Sequence, residues 1–291
     1  MKDMTGPEPR KKVPPFSRAK LARVEPQFDI SPFTPQQGAA EDLVPATGID
    51  LSGRPKIVFA AGRGKTGKTT FLRWMAEQSA AEGRPFLMAD IDPTNASFAS
   101  YFPEVARPDT DEPSGVCSWL QEFIEYAVEH KSSALIDLGG GDTTLRSIAA
   151  EMPDFADQIE ASGVSPVIFY MVGAQAEDLA PVATLTARQF KPAARAIIIN
   201  EHSGETGLDR VQAFSHIVRS RIFIEQRSGG TLGLWMPRLH AATAVETRRC
   251  TFAAARDGQT NPPLGLFDRA RVRLWLQAME HQFQGVRSWM P

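Results

Sequence analysis

The chain has 291 residues, of which 42% are hydrophobic, and its 32 basic and 34 acidic side chains give a formal net charge of −2. This composition predicts one large globular domain plus a tail. The polar, Pro-rich N-terminus, and the lack of any run near the roughly 20 apolar residues of a membrane span, favour a cytoplasmic protein. The two cysteines, Cys117 and Cys250, are too few for a zinc cluster or a disulfide framework, and we expect both to be buried small apolar residues.

Residues 1–54 differ from the rest of the chain, and we expect them to form a flexible arm before a domain of residues 55–291. Eight prolines interrupt any periodic pattern there, and basic residues gather at Arg10, Lys11, Lys12, Arg18, Lys20 and Arg23. Such an arm could bind nucleic acid, an acidic partner or a membrane surface, or it could lie along the domain.

A glycine-rich loop follows the apolar run Lys56–Ala61 and precedes a segment with helical spacing. The spacing G-x-x-x-x-G-K-T lets backbone N–H groups surround an oxyanion, while the next helix directs its positive end at the same place. We expect Lys68 to neutralise the outer phosphates of ATP or GTP, and Thr69 to ligate Mg²⁺. The predicted nucleotide-binding residues of the loop are Gly62, Gly64, Lys65, Thr66, Gly67, Lys68, Thr69 and Thr70.

Four further apolar runs predict strands, with helical spacing between them: Pro85–Asp90, Ser133–Leu138, Ser165–Val172 and Ala194–Asn200. Uninterrupted apolar strands are typical of a mostly parallel sheet that is covered by helices on both faces. Ligands of such α/β folds bind at the carboxyl edge of the sheet. The pattern therefore predicts a P-loop NTPase fold with the glycine-rich loop at that edge.

Polar residues stand where three of these strands end. Asp90 and Asp92 are separated by one residue, so both would point toward the phosphates if strand geometry persists. Asp137 is followed by glycines, which is the usual arrangement for an aspartate that is associated with Mg²⁺ and precedes a mobile loop. Asn200 ends the last of these strands.

With these segments, roughly residues 56–256 resemble the ParA/MinD group of P-loop ATPases, which belong to the SIMIBI class. The pattern D-x-D-P-x-N-A-S from Asp90 is similar to the ParA-like ATPases of conjugative plasmids, the TraL and StbB type. The resemblance implies that Asp92 positions the attacking water, that Asp90 helps to hold the metal, and that Asp137 is the Walker B aspartate. It also implies adenine contacts from Asn200 and from the backbone around Pro237, with ATP and Mg²⁺ as cofactors.

The loop departs from that group's K-G-G-x-G-K-T-T in two places. Arg63 replaces the lysine that reaches the partner's phosphates in a nucleotide-sandwich dimer, and it could act there as an arginine finger or could be a solvent-facing loop residue. Lys65 stands where the group has glycine, and it could supply the charge across the dimer or hinder close approach. We therefore expect an ATP-dependent homodimer with slow hydrolysis, aided by an adaptor or ATPase-stimulating protein.

Residues 210–291 contain twelve arginines, no lysine and five acidic residues, a net charge of +7. On one surface these guanidinium groups would bind DNA phosphates without sequence preference, and a dimer would double the contact. The protein would then be associated with the nucleoid. The alternative is a solvated face with local ion pairs. The candidate DNA-binding residues are Arg219, Arg221, Arg248, Arg249, Arg269, Arg271 and Arg273.

Three other interpretations remain open. Val272, Leu276, Met279, Phe283 and Val286 follow 4, 3, 4, 3 spacing beside arginines, so this helix could lie on an anionic membrane or pack on the core. A P-loop kinase would use the same loop but would not need the two strand-end aspartates. A nucleotide-dependent adaptor of plasmid transfer or membrane-surface positioning would hydrolyse little.

Overall fold

The computed structural model describes residues 43, 45–92, 96–140 and 143–291. In these residues six strands form one all-parallel sheet in the order β2-β3-β1-β4-β5-β6. The strands are β1 (Lys56–Ala61), β2 (Phe86–Asp90), β3 (Ser133–Asp137), β4 (Ser165–Val172), β5 (Ala194–Asn200) and β6 (Leu232–Met236). The first five agree with the sequence prediction to within one residue, whereas β6 was not predicted.

The helices connect the strands and cover the sheet. They are α1 (Lys68–Ala81), α2 (Pro113–Glu129), α3 (Thr144–Glu151), α4 (Phe155–Ala161), α5 (Ala180–Ala187), α6 (Arg210–Ala213), α7 (Ser215–Val218), α8 (Arg221–Ser228), α9 (Ala242–Arg248), α10 (Phe252–Asp257) and α11 (Leu266–Phe283). Short 3₁₀ helices span Ala176–Leu179, Glu201–Ser203 and Gln284–Trp289. Side-chain hydroxyls start two of the α-helices, because Ser220 and Thr251 accept N–H groups of the first turns of α8 and α10.

Two apolar cores lie on opposite faces of the sheet, because successive strand side chains alternate between them. In β1, Val58 and Ala60 belong to the core beneath α1, α9, α10 and α11, which we call the α1 face. Ile57 and Phe59 belong to the core beneath α2, α3, α4, α5, α7 and α8, which we call the α2 face. Both faces of the central strands are therefore covered, which explains their uninterrupted apolar sequences.

The apolar stripe of the last helix packs into the α1 face. Val272, Leu276, Met279, Phe283 and Val286 are all buried. The ring of Phe283 lies 5.1 Å from the rings of both Phe71 and Trp74 in α1. This is the core packing that the sequence left as one alternative, so the stripe is not presented to a membrane. Among the described residues, no helix combines the length and apolar character needed to cross a bilayer.

The segment before β1 is part of the folded domain. The Gly48 N–H donates to the Gly285 carbonyl (2.9 Å), the Leu51 N–H donates to Ser288 Oγ (3.1 Å), and Trp289 Nε1 donates to the Ile49 carbonyl (2.8 Å). The packed domain therefore begins before residue 55, where the sequence placed its boundary. Residues 1–42 and 44 of the predicted arm lie outside the described residues. Both cysteines, expected to be buried, are partly exposed.

Candidate nucleotide-binding site

The glycine-rich loop connects the carboxyl end of β1 to α1, and its shape is fixed by its own neighbours. Gly67 precedes α1 in the left-handed region (φ +97°), and a Cβ there would lie 2.4 Å from Asn200 Nδ2, so only glycine fits. Asn200 Nδ2 donates to the Thr66 carbonyl (3.0 Å), and Thr66 Oγ1 donates to the Arg63 carbonyl (2.8 Å). The end of β5 thus holds the glycine-rich loop in place through Asn200.

Lys68 is the first residue of α1, and its side chain returns to the start of the loop. Nζ donates to the carbonyls of Gly62 (3.0 Å) and Arg63 (3.1 Å), and the residue is buried. An ammonium held at this point adds its charge to the positive end of α1. The loop can therefore neutralise the phosphates of a nucleotide.

Thr69 and Asp137 meet beside Lys68. Thr69 Oγ1 donates to Asp137 Oδ2 (3.0 Å), because β3 is the sheet neighbour of β1 and places Asp137 opposite Ala60. Burial raises the pKa of the Asp137 carboxyl to about 7, although the charge of Lys68 opposes this shift. Its second oxygen, Oδ1, is buried and has no hydrogen bond with a described residue.

A hydroxyl and a carboxylate with a spare buried oxygen are a donor set that suits Mg²⁺. That ion prefers oxygen ligands, and proteins usually hold it with one or two carboxylates while substrate phosphates and water complete its shell. Thr69 and Asp137 would hold it here beside the phosphates, where it would neutralise their charge.

The two aspartates after β2 have different surroundings. Asp90 is buried and accepts the N–H groups of Asp92 (3.1 Å, on Oδ1) and Ala99 (3.0 Å, on Oδ2). Asp92 is half-buried and lines the cleft beside Gly139, whereas Asp90 does not line it. The Asp90 carboxylate thus shapes the segment after β2, and the metal contact predicted for it stays a prediction. Residues 93–95 of the same motif lie outside the described residues.

Arg63 contacts its own chain. Its Nη1 lies 3.3 Å from Asp178 Oδ1, and the arginine side chain is 48% exposed. Asp178 Oδ2 accepts the N–H groups of Gly173 and Gln175 (3.1 Å each) in the turn after β4. Lys65 is exposed and has a left-handed backbone (φ +66°), a conformation that favours the glycine found at this position in the resembling group.

The loop after β3 lies against the glycine-rich loop. A Cβ on Gly140 would lie 2.6 Å from the Gly64 nitrogen and 2.8 Å from the Gly64 Cα. This contact leaves room for hydrogen alone. The backbone of the Asp137 strand end is therefore in direct contact with the phosphate loop.

A cleft of about 850 Å³ runs from the phosphate loop to the ends of β5 and β6. Asn200 and Pro237, which were predicted to contact the adenine base, line this cleft. In the structure the Asn200 amide donates to the Thr66 carbonyl, and the Pro237 carbonyl accepts a hydrogen bond from Trp275 Nε1 (2.9 Å). Sequence reasoning did not identify other lining residues, because no motif marks them: Asp111, Pro113, Val116, Thr143, Thr144, His202, Leu239 and Ala242. Glu246 also lines the cleft.

The seven candidate DNA-binding arginines do not share one surface. Arg219 and Arg221 flank the start of α8 on the α2 face, and the other five belong to α9, its end and α11 on the α1 face. Several have local partners, as the alternative interpretation expected: Arg221 with Glu225 (2.7 Å), Arg271 with Asp268 (2.8 Å), Arg248 with the Pro262 carbonyl (2.8 Å) and Arg269 with the Arg256 carbonyl (3.3 Å). Arg249 and Arg273 are exposed and have no bonded partner among the described residues.

Comparison with known proteins found similar structures but no similar sequences. Neither a protein-family model nor a curated protein matches the chain. Three similar solved structures are the signal recognition particle receptor FtsY from Elizabethkingia anophelis in complex with GDP, chloroplast FtsY from Physcomitrella patens, and the cell division protein FtsY from Thermotoga maritima. Their sequence identities are 15%, 15% and 13%, and their TM-scores are 0.42, 0.42 and 0.45.

These matches cover 65%, 68% and 80% of this chain, and 59%, 62% and 73% of the respective structures. The chain thus spans about three fifths of the length of the first two. The α/β fold predicted from the sequence, a parallel sheet with helices on both faces and the glycine-rich loop at its carboxyl edge, is confirmed by the chain's own sheet and loop. The chain thus has a glycine-rich phosphate loop between β1 and α1.

Proposed function

We propose that this chain is a Mg²⁺-dependent ATPase of the ParA/MinD type, which pairs with a second copy of itself when it binds ATP. One observation carries the proposal: a single cleft contains Lys68, the Thr69–Asp137 pair and Asp92. These groups match the three needs of phosphoryl transfer to water, namely phosphate neutralisation, metal binding and orientation of the nucleophile.

Each residue has a distinct part in that reaction. Lys68 neutralises the outer phosphates, because its ammonium lies at the start of the loop. Asp92, at the half-buried wall of the cleft, orients the attacking water. Asp90 is a positioning residue, because its carboxylate accepts the Asp92 N–H and so fixes the backbone that carries Asp92.

The dimer depends on the exposed side of the loop. The Arg63 guanidinium is half-exposed, and such an ion pair contributes only about 0–1 kcal/mol, so Arg63 could exchange Asp178 for a phosphate of the second copy. The proposed DNA contacts come from Arg249 and Arg273 on the α1 face, and a dimer presents them twice. A cargo adaptor or an ATPase-stimulating protein completes the proposed cycle in the cytoplasm.

The decisive experiment measures mass and hydrolysis together. Sedimentation velocity of the full chain with Mg²⁺ should show a dimer with a non-hydrolysable ATP analogue and a monomer with ADP. Asp92→Ala should retain the ATP-dependent dimer while single-turnover phosphate release falls about 100-fold. Lys68→Ala is the control that should lose both.

Four outcomes would overturn the proposal. They are no affinity for any purine triphosphate, an unchanged mass with ATP, equal hydrolysis in the native chain and Asp92→Ala, and a strict preference for GTP. Transfer of phosphate to an acceptor in place of water would instead identify a kinase.

A further inference from the structure

A second cavity of about 840 Å³ opens at the amino ends of β1, β2 and β3, which is the edge of the sheet opposite the phosphate loop. The first residues of these strands, Lys56, Phe86 and Ser133, line it. The C-terminal 3₁₀ helix contributes Arg287 and Ser288. None of the residues in the nucleotide cleft lines this cavity, so it is a separate site.

The cavity has an excess of positive charge. Glu82 is its one acidic side chain, against five lysine and arginine side chains: Arg54, Lys56, Arg84, Lys131 and Arg287. Glu82 pairs with both Arg84 (2.6 Å) and Arg287. Arg54 pairs with Glu160 (2.6 Å), and Lys131 donates to the Ser162 carbonyl. These contacts leave Lys56 as the basic lining residue that has no ion pair among the described residues.

Lys56 is 5% exposed, and its ammonium has no hydrogen bond or ion pair with another described residue. Burial lowers the pKa of Lys56, and the positive charge of Arg84 lowers it further, while Asp50 opposes the shift. Arg84 is already partnered, because it pairs with Glu82 and its Nη1 donates to the Met290 carbonyl (3.2 Å), while its Nε is buried without a hydrogen bond among the described residues. The Lys56 ammonium has no such partner, so an anion bound in the cavity beside Lys56 would balance its charge.

We infer that this cavity binds a small organic phosphate, with its oxygens held by Lys56 in the positive field of Arg84. A dianionic tetrahedral group suits this lining, since the ammonium offers a compact charge and the Arg84 guanidinium, which lines the same cavity, adds to the positive potential. Pro85, Phe86 and Leu87 line the same cavity and provide apolar surface for an organic body. The inference goes beyond the proposed function and does not depend on it.

The test is calorimetric titration of the full chain with phenyl phosphate, in a Lys68→Ala background that weakens competition from the phosphate loop. Lys56→Met keeps the length of the side chain and removes its charge, so phenyl phosphate affinity should fall at least about tenfold. Lys131→Met is the matched control at the rim, because its ammonium is already bonded to Ser162, and it should change the affinity less than about threefold. Thermal unfolding verifies folding, and Lys56→Met should unfold at the same or a higher temperature because a buried charge is removed.

Two ligand comparisons establish the chemistry. Phenyl phosphate should bind more tightly than inorganic phosphate, because the apolar wall contributes, and more tightly than benzoate, because a carboxylate offers fewer oxygens and less charge. The inference is overturned if phenyl phosphate does not bind, if Lys56→Met binds it as well as its parent, or if Lys131→Met loses as much affinity. It is likewise overturned if inorganic phosphate or benzoate binds equally well. Failure of ATP-dependent dimerisation would leave every one of these readouts unaffected.

Discussion

Arg63 and Asp178 form an ion pair of 3.3 Å that joins the phosphate loop to the turn after β4 within one chain. The same aspartate accepts the N–H groups of Gly173 and Gln175, so the turn already fixes its position. In the proposed dimer, the Arg63 guanidinium would leave Asp178 to contact the phosphates of a second copy. The intramolecular pair therefore competes with the proposed dimer.

Asp178→Asn tests this competition. The amide oxygen keeps an acceptor for the N–H groups of the turn, while the charge that holds Arg63 is lost. We expect the free energy of unfolding to change by less than about 1 kcal/mol, and ATP-dependent dimerisation to tighten by up to about fivefold. Chemical denaturation and sedimentation velocity measure the two effects. Arg63→Ala is the control and should weaken the dimer; weaker dimerisation in Asp178→Asn would show that the pair supports assembly.

Asn200→Ala tests whether the Asn200 side chain contacts the nucleotide base or holds the phosphate loop in place. In the structure the Asn200 amide donates to the Thr66 carbonyl, so its loss should weaken ATP and GTP binding alike, by about three- to tenfold. Titration with fluorescent nucleotide analogues measures this. A loss confined to ATP would restore the adenine contact that the resemblance implied. His202→Ala, which alters the same cleft without touching Thr66, is the matched control.

Asp137→Asn should stabilise the metal-free protein in a manner that depends on pH. The folded-state pKa of Asp137 is raised from 3.8 to about 7, so folding favours the protonated carboxyl and the native chain loses stability as pH rises through that interval. We expect the variant to unfold several degrees higher at pH 8 without Mg²⁺, and at nearly the same temperature at pH 4. Calorimetry at pH 8 and at pH 4 shows whether the unfolding temperature rises only at the higher pH. The variant should also lose Mg²⁺-dependent nucleotide affinity.

The arginines of the two faces can be tested against each other. Arg249→Gln with Arg273→Gln should lower the salt dependence of ATP-dependent DNA retention by about 3.6 in the log–log slope, since the dimer loses four phosphate contacts and each contributes roughly 0.9. Arg219→Gln with Arg221→Gln is the matched pair on the α2 face and should leave the slope unchanged. An equal decrease of this slope in both double variants would indicate that the total positive charge, and not one face of the sheet, attracts DNA. Equal retention with ADP would contradict the nucleotide dependence itself.

Local patterns were enough to predict much of the fold. Residues of β1, β4 and β5 agree with the prediction residue for residue, because each strand is an apolar run that both faces bury. The glycine-rich loop was predicted because the spacing of its glycines and Lys68 is the one that phosphate binding requires. β6 was missed since it is short and contains Gly233, whose hydrogen leaves room for Phe223; a Cβ there would lie 3.2 Å from that ring.

What could not be predicted depends on contacts between distant parts of the chain. Asp178 follows Arg63 by 115 residues, so nothing local identifies it as the partner. Strand alternation predicted that the side chains of Asp90 and Asp92 point to the same side of the strand. In the structure the chain turns after Asp90, so that the Asp92 N–H donates to the Asp90 carboxylate. Counting arginines along the sequence suggested one surface, yet α8 and α11 lie on opposite faces of the sheet.

The near contact of Gly140 with Gly64 has a mechanical consequence. With only hydrogen atoms between the two backbones, neither loop can shift inward without displacing the other. A change at the outermost phosphate can thus be transmitted from main chain to main chain, with no side chain as intermediary. Under the proposed function, the surface that the loop after β3 presents outside the cleft would then depend on whether the bound triphosphate is intact.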